Sequence, residues 1–116
     1  PEATIVLSRR PARTFEVDIL IYEPRPAMVE ITPQDAFLAI EIADTTRRKD
    51  LEVKAPRYGA FGVAELWVMD LQDQITHVHR RPGKQGYREI SPVAFASPLS
   101  PLFAPALSFT LDSIAP

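Results

Sequence analysis

Two carboxylates, Asp18 and Glu41, stand inside apolar, strand-like runs, and a lysine, Lys54, follows on a helical stretch with Asp50 one turn before it. Hard divalent cations such as Mg²⁺ or Mn²⁺ prefer carboxylate and water oxygens, with one or two protein carboxylates and the rest from phosphate and solvent. If the two runs are neighbouring strands, Asp18 and Glu41 on one face can share an ion whose charge offsets their repulsion and desolvation. An ammonium beside that ion can orient water and stabilise a pentavalent phosphate, two of the terms that accelerate phosphodiester hydrolysis. Lys54 is the candidate for that ammonium.

The elements that must position these groups read as follows. Ile5 to Leu7 suggests a short early strand. Phe15, Val17, Ile19 and Ile21 alternate with Glu16, Asp18 and Leu20, the period of a half-buried strand, which sets Asp18 on the face opposite Phe15. The prolines of Glu23 to Pro26 and Thr32 to Asp35 mark turns. Phe37 to Ala43 is nearly continuously apolar, as a central strand covered on both faces should be, and Glu41 is its one charge. Asp44-Thr45-Thr46 offers N-cap residues for a helix from Arg47 to Phe61, in which Pro56 predicts a kink or break near Ala55. Ala64 to Asp70 reads as a strand, Ile75 to His79 as another, Pro82 to Gly86 as a loop and Tyr87 to Ile90 as the returning hairpin arm. The tail from Ser91 onward is dense in proline, so regular sheet is not expected there. It should wrap the core, with Leu107 to Leu111 as a last short strand.

Three ordered segments carry a resemblance: Ile40-Glu41-Ile42-Ala43-Asp44-Thr45-Thr46, Asp50-Leu51-Glu52-Val53-Lys54-Ala55-Pro56-Arg57-Tyr58, and Gly62 to Asp70 with Glu65 and Trp67. Together they resemble the Uma2 family: a strand ending in Glu-Val and a small polar run, a helix with Asp-x-x-x-Lys-x-x-x-Tyr, and a strand with Gly-Val-x-Glu-x-Trp-x-x-Asp. The resemblance implies an α/β, PD-(D/E)XK nuclease-like fold, a restriction-endonuclease-like mixed sheet flanked by helices with the metal site at one end. It also implies a metal-dependent endonuclease acting on nucleic acid, with DNA expected, and a homodimer. Asp18 and Glu41 would hold Mg²⁺ or Mn²⁺, Lys54 would be catalytic, and Asp50, Tyr58 and Glu65 would support the site. Two departures stand out. The family's first acidic residue follows a proline, whereas Asp18 follows Val17, so its assignment rests on position and alternation. Members also carry a helix and hairpin ahead of that strand, and this sequence has little of either, so part of the N-terminal layer is expected to be missing. These departures motivate an alternative, a degenerate nuclease fold that serves dimerisation or partner binding.

Ordinary roles compete with each catalytic one. Glu41 can be a structural carboxylate paired with Arg47 or Lys54. Asp18 can face water. Asp50 and Lys54 have the spacing of a common helix ion pair, and Tyr58 and Trp67 can be core packers. Glu65 is either a helper of the metal face or a surface residue. His77 and His79 share a strand face without a third zinc ligand and read as hairpin surface. Arg80, Arg81, Lys84 and Arg88 form a small basic patch that could touch phosphates or be solvated hairpin charge.

Composition bounds these readings. With 46% apolar and 24% charged residues the 116-residue chain is globular, and one domain spanning 1–116 is expected. A net charge of −2 provides no global attraction to a polyanion, so any nucleic-acid contact must be local. The absence of cysteine removes disulfides, thiolate zinc sites and cysteine nucleophiles, and fits a cytoplasmic setting. No apolar run approaches the length that spans a bilayer. A first residue of Pro1 rather than methionine reads as a fragment or processed start.

Overall fold

The computed structural model describes residues 3–9 and 12–112. Two antiparallel strands, β1 (Ala3–Arg9) and β2 (Ala12–Val17), form a hairpin sheet, and β3 (Ile19–Tyr22) opens a second sheet. A short 3₁₀ turn (Pro33–Asp35) leads into β4 (Ala36–Ala43), followed by α1 (Arg48–Ala60), β5 (Glu65–Asp70), β6 (Ile75–Gly83) and β7 (Gly86–Ala94). The second sheet runs β3-β4-β5-β6-β7 and is mixed: β4 and β5 are parallel and joined through α1, and the other neighbours are antiparallel. A parallel pair needs a crossover connection, and α1 supplies it. The result is the mixed α/β architecture of a restriction-endonuclease-like fold.

The sheet is covered differently on its two faces. Along β4, Ala39, Glu41 and Ala43 point toward α1 while Leu38 and Ile40 point away, which is why this strand reads as continuously apolar. On the α1 side Ala55 and Tyr58 meet Ala39, Leu66 and Val63, and the hairpin contributes Ile5, Phe15 and Val17. On the other side there is no second helix among the described residues. The tail beyond β7 lies there instead, with Phe95, Leu99 and Leu111 against Leu38, Trp67 and Val78. Leu99 and Phe109 exchange backbone hydrogen bonds as an isolated bridge, so the expected last strand from Leu107 to Leu111 is reduced to one pairing.

Several expectations change. The N-terminal hairpin, expected to be largely missing, is present as β1 and β2. The alternation from Phe15 to Ile21 is not one strand: the chain bends at Asp18 and passes between sheets. Inward parity shifts by one there, so Val17 and Leu20 join the α1 side, Ile21 joins the tail side, and Ile19 is left 47% exposed. Pro56 does not break α1. Its missing donor costs one backbone bond, and its ring side lies against Gly86, where an added Cβ would stand 3.2 Å from the Pro56 Cα. Pro92 lies inside β7, opposite His77. β7 is an edge strand, where a residue without a donor is tolerated.

Candidate functional site

Asp18 is positioned by the way β3 stops pairing with β4. The antiparallel ladder runs from Tyr22 to Ile19, with Ile19 opposite Ile40, so the next residue comes beside Glu41. Asp18 does not continue that ladder with its backbone. Its Oδ2 accepts the Ile42 N–H at 2.7 Å, while its own N–H donates to Glu41 Oε1 at 3.1 Å. Asp18 is thereby locked to β4 by the Glu41 side chain and the Ile42 backbone, and the bend at Asp18 is the local consequence.

Lys54 reaches the pair from α1. Its Nζ donates to Glu41 Oε2 at 3.2 Å and to the Glu16 carbonyl at 2.7 Å. It lies 5.7 Å from the Phe15 ring centroid and 5.5 Å from that of Tyr58, distances at which a ring face attracts a cation. The expected helix pair between Asp50 and Lys54 is not formed: Lys54 turns inward to Glu41, and Asp50 stays exposed at the rim of a shallow hollow over Glu16 and Lys54. Tyr58 is fully buried, with its hydroxyl in no hydrogen bond. Burial, followed by the nearby Glu41 charge, drives its pKa well above the ordinary tyrosine value.

A fourth residue completes the cluster. Arg47 forks between the acids, with Nη1 2.8 Å from Asp18 Oδ2 and Nη2 3.1 Å from Glu41 Oε2, and Nη1 also donates to the Ile42 carbonyl at 3.0 Å. The turn before α1 holds it there: Asp44 Oδ1 accepts the N–H groups of Thr46 and Arg47, which fixes the backbone from which the arginine projects. Burial raises the Asp18 pKa, but the Ile42 N–H and the charges of Arg47 and Lys54 outweigh it, and the group ends below the usual aspartate value. Glu41 is fully buried, with Arg47 and Lys54 on Oε2 and the Asp18 N–H on Oε1.

The geometry joins Asp18, Glu41, Lys54 and Tyr58 on the α1 side of the sheet, in the sequence pattern that resembles Uma2. The Uma2 family, whose description reads "Putative restriction endonuclease", matches residues 3–112. The chain belongs to the Uma2 family. No curated protein matches it.

Among the residues expected in a Uma2 site, Glu65 is not brought to the others. It lies on the opposite face of the sheet, fully buried, where Oε2 accepts Trp67 Nε1 at 2.8 Å and Arg80 Nε at 2.7 Å and Oε1 accepts the Leu102 N–H at 2.9 Å. The reason is strand parity: Leu66, not Glu65, shares the face of Ala39. Arg80 is withdrawn from the basic patch by this bond, leaving Arg81, Lys84 and Arg88 near the hairpin tip. His77 and His79 also differ from a hairpin surface. They face α1 in a cleft of about 550 Å³ bordered by Arg48, Asp70 and Tyr87, and His79 is buried. Arg47 is the residue that sequence reasoning placed only as a possible structural partner. Its position directly after the Asp44 turn was the available signal.

The donor chemistry suits a hard divalent cation in type, since both acids offer carboxylate oxygens. The buried Tyr58 hydroxyl lies beside Glu41 and makes no hydrogen bond of good geometry among the described residues, which suits a neighbouring water or ligand oxygen. Against this, no group of three or more His, Cys, Asp or Glu suited to a metal occurs among the described residues. Any cation would therefore draw its remaining ligands from solvent and substrate. No helix among the described residues is long and apolar enough to cross a membrane.

Proposed function

We propose that this Uma2 chain is a metal-dependent endonuclease that hydrolyses phosphodiester bonds of nucleic acid, DNA in the first instance. The observation that carries this reading is the meeting of Glu41 on β4, Lys54 on α1 and Asp18 at the bend between β2 and β3: Glu41 accepts Lys54 Nζ and the Asp18 N–H, and one guanidinium, Arg47, bonds both carboxylates. Asp18 and Glu41 hold Mg²⁺ or Mn²⁺, which when bound supplies Lewis-acid polarisation of the phosphate and an acidified water. Lys54, fixed by Glu41 and the Glu16 carbonyl, orients the attacking water and offsets charge on the phosphoryl oxygens. Tyr58 supports the site through its buried hydroxyl. Asp50 sits at the rim, where it can help hold solvent around Lys54. A homodimer suits cleavage of both strands of a duplex.

The test is cleavage of labelled duplex DNA by purified protein in Mg²⁺ or Mn²⁺, with Glu41→Gln as the control. Activity should fall by at least about 100-fold, the scale associated with losing a transition-state electrostatic contact. Undiminished cleavage by that variant would remove the basis of this reading.

A second reading has its own observation. Arg47 already bonds both acids and with Lys54 balances their charge, as in a nuclease fold retained for dimerisation or partner binding. Calorimetry with Mn²⁺ separates the two: carboxylate-dependent binding supports the nuclease, and its absence at millimolar Mn²⁺ supports the degenerate fold.

A further inference from the structure

Arg47 bonds each acid through a different nitrogen, at 2.8 Å to Asp18 and 3.1 Å to Glu41, so its planar fork fills the space between the facing oxygens Asp18 Oδ2 and Glu41 Oε2. A divalent cation held by Asp18 and Glu41 would compete with the guanidinium for the same pair of carboxylates. Charge points the same way. Arg47 and Lys54 already balance the two carboxylates, and adding a divalent cation without losing a cationic side chain leaves two excess positive charges in a partly buried site.

The two resident cations are not equally able to leave. Each also bonds a backbone carbonyl, Lys54 that of Glu16 and Arg47 that of Ile42, but Lys54 is 19% exposed and lies between two aromatic rings, whereas the Arg47 side chain is 36% exposed and stands at the turn before α1. We propose that Arg47 is an internal competitor for the divalent cation: it holds Asp18 and Glu41 together in the metal-free protein and must swing outward for the metal to bind. This rests on the metal-binding reading above. It adds that the affinity for metal is set by the arginine as well as by the carboxylates.

The experiment is calorimetric titration of MnCl₂ into the wild-type chain, Arg47→Gln, Arg47→Lys and the double variant Glu41→Gln/Arg47→Gln, with folding of each checked by circular dichroism. Arg47→Gln should bind Mn²⁺ about tenfold more tightly than wild type, equivalent to about 1.4 kcal/mol. Arg47→Lys, which keeps the charge but cannot fork to both acids, should fall between, and the double variant should lose the gain. If Arg47→Gln fails to fold, the comparison of Arg47→Lys with wild type carries the test. Equal or weaker binding in the folded Arg47 variants, with Glu41-dependent binding intact in wild type, overturns the competition and leaves the metal site standing. No binding by wild type or by either single variant overturns both.

Discussion

Two buried glutamates on opposite faces of one sheet have the same sequence appearance and different surroundings. Glu41 and Glu65 are both fully buried and both bonded to cationic side chains. Glu65 gathers Trp67 Nε1, Arg80 and the Leu102 N–H, three donors from strand, strand and tail, and so fastens the tail to the sheet. Glu41 instead has a second carboxylate beside it and two cations that reach toward solvent. A buried acid that closes a donor set is a structural device. One that shares its donors with another acid near the rim is equipped to exchange them for a ligand.

The largest stability effect expected from this difference is at Glu65. Glu65→Ala leaves Trp67 Nε1 and the Leu102 N–H without acceptors and leaves Arg80 with only the Ser100 carbonyl, so a loss of about 4 kcal/mol is expected. Glu41→Ala should cost about 2 kcal/mol. Its cations retain Asp18, the Ile42 carbonyl and the Glu16 carbonyl, and one like-charge neighbour is relieved. Urea unfolding of the two variants measures the contrast, and equal or reversed losses would mean that both acids serve the fold alike.

The α1 face is also closely packed at its far end. α1 rests on the start of β7 through Gly59, where an added Cβ would stand 2.7 Å from the Gly86 carbonyl carbon and 2.8 Å from the Tyr87 nitrogen. Backbone cannot yield as a side chain can, so Gly59→Ala should cost about 2 kcal/mol through overpacking. Glu65→Ala, once folded at low temperature, should leave Mn²⁺ binding unchanged, because Glu65 and its partners lie on the opposite face of the sheet. A Gly59→Ala protein as stable as wild type would show that the helix can shift freely over the sheet.

Much of this arrangement was legible in the sequence, and what was not follows from pairing. The central strand, the helix and the Asp18, Glu41 and Lys54 candidates follow from apolar runs and helical spacing. Period-two patterning says which residues of a strand share a face, but not which face of one strand matches which face of the next, and so Glu65 was grouped with Glu41. Alternation also cannot show where a side chain replaces a backbone rung. Asp18 does this with the Ile42 N–H, and the run from Phe15 to Ile21 therefore looks like one strand although it serves two sheets. Proline content misled in the opposite sense. Pro56 and Pro92 are forbidden by isolated propensity but accommodated by a glycine contact and a sheet edge.

The smallest expected effect concerns acid. Asp18 has a pKa below its ordinary value, so the unfolded chain takes up its proton first as pH falls. Its contribution is present in full above the ordinary aspartate value of 3.8 and is lost as pH drops through the lower folded value. Asp70, where Arg48 and the N–H groups of Gln72 and Asp73 outweigh the burial that raises its pKa, follows the same sign, and His79 adds a separate step. Burial depresses the His79 pKa, so its neutral form favours folding above the ordinary value of 6.5, and that share is lost on acidification through its lower folded value. Asp18→Asn should therefore flatten the stability profile between about pH 5 and 2 by about 1 kcal/mol or less, given the water access of the rim, and leave the His79 step in place. Urea midpoints across that range measure the slope. An unchanged acid limb in Asp18→Asn would mean that Arg47 and the Ile42 N–H do not bind the Asp18 charge in solution, and the pairing that sets the two acids side by side would lose its support.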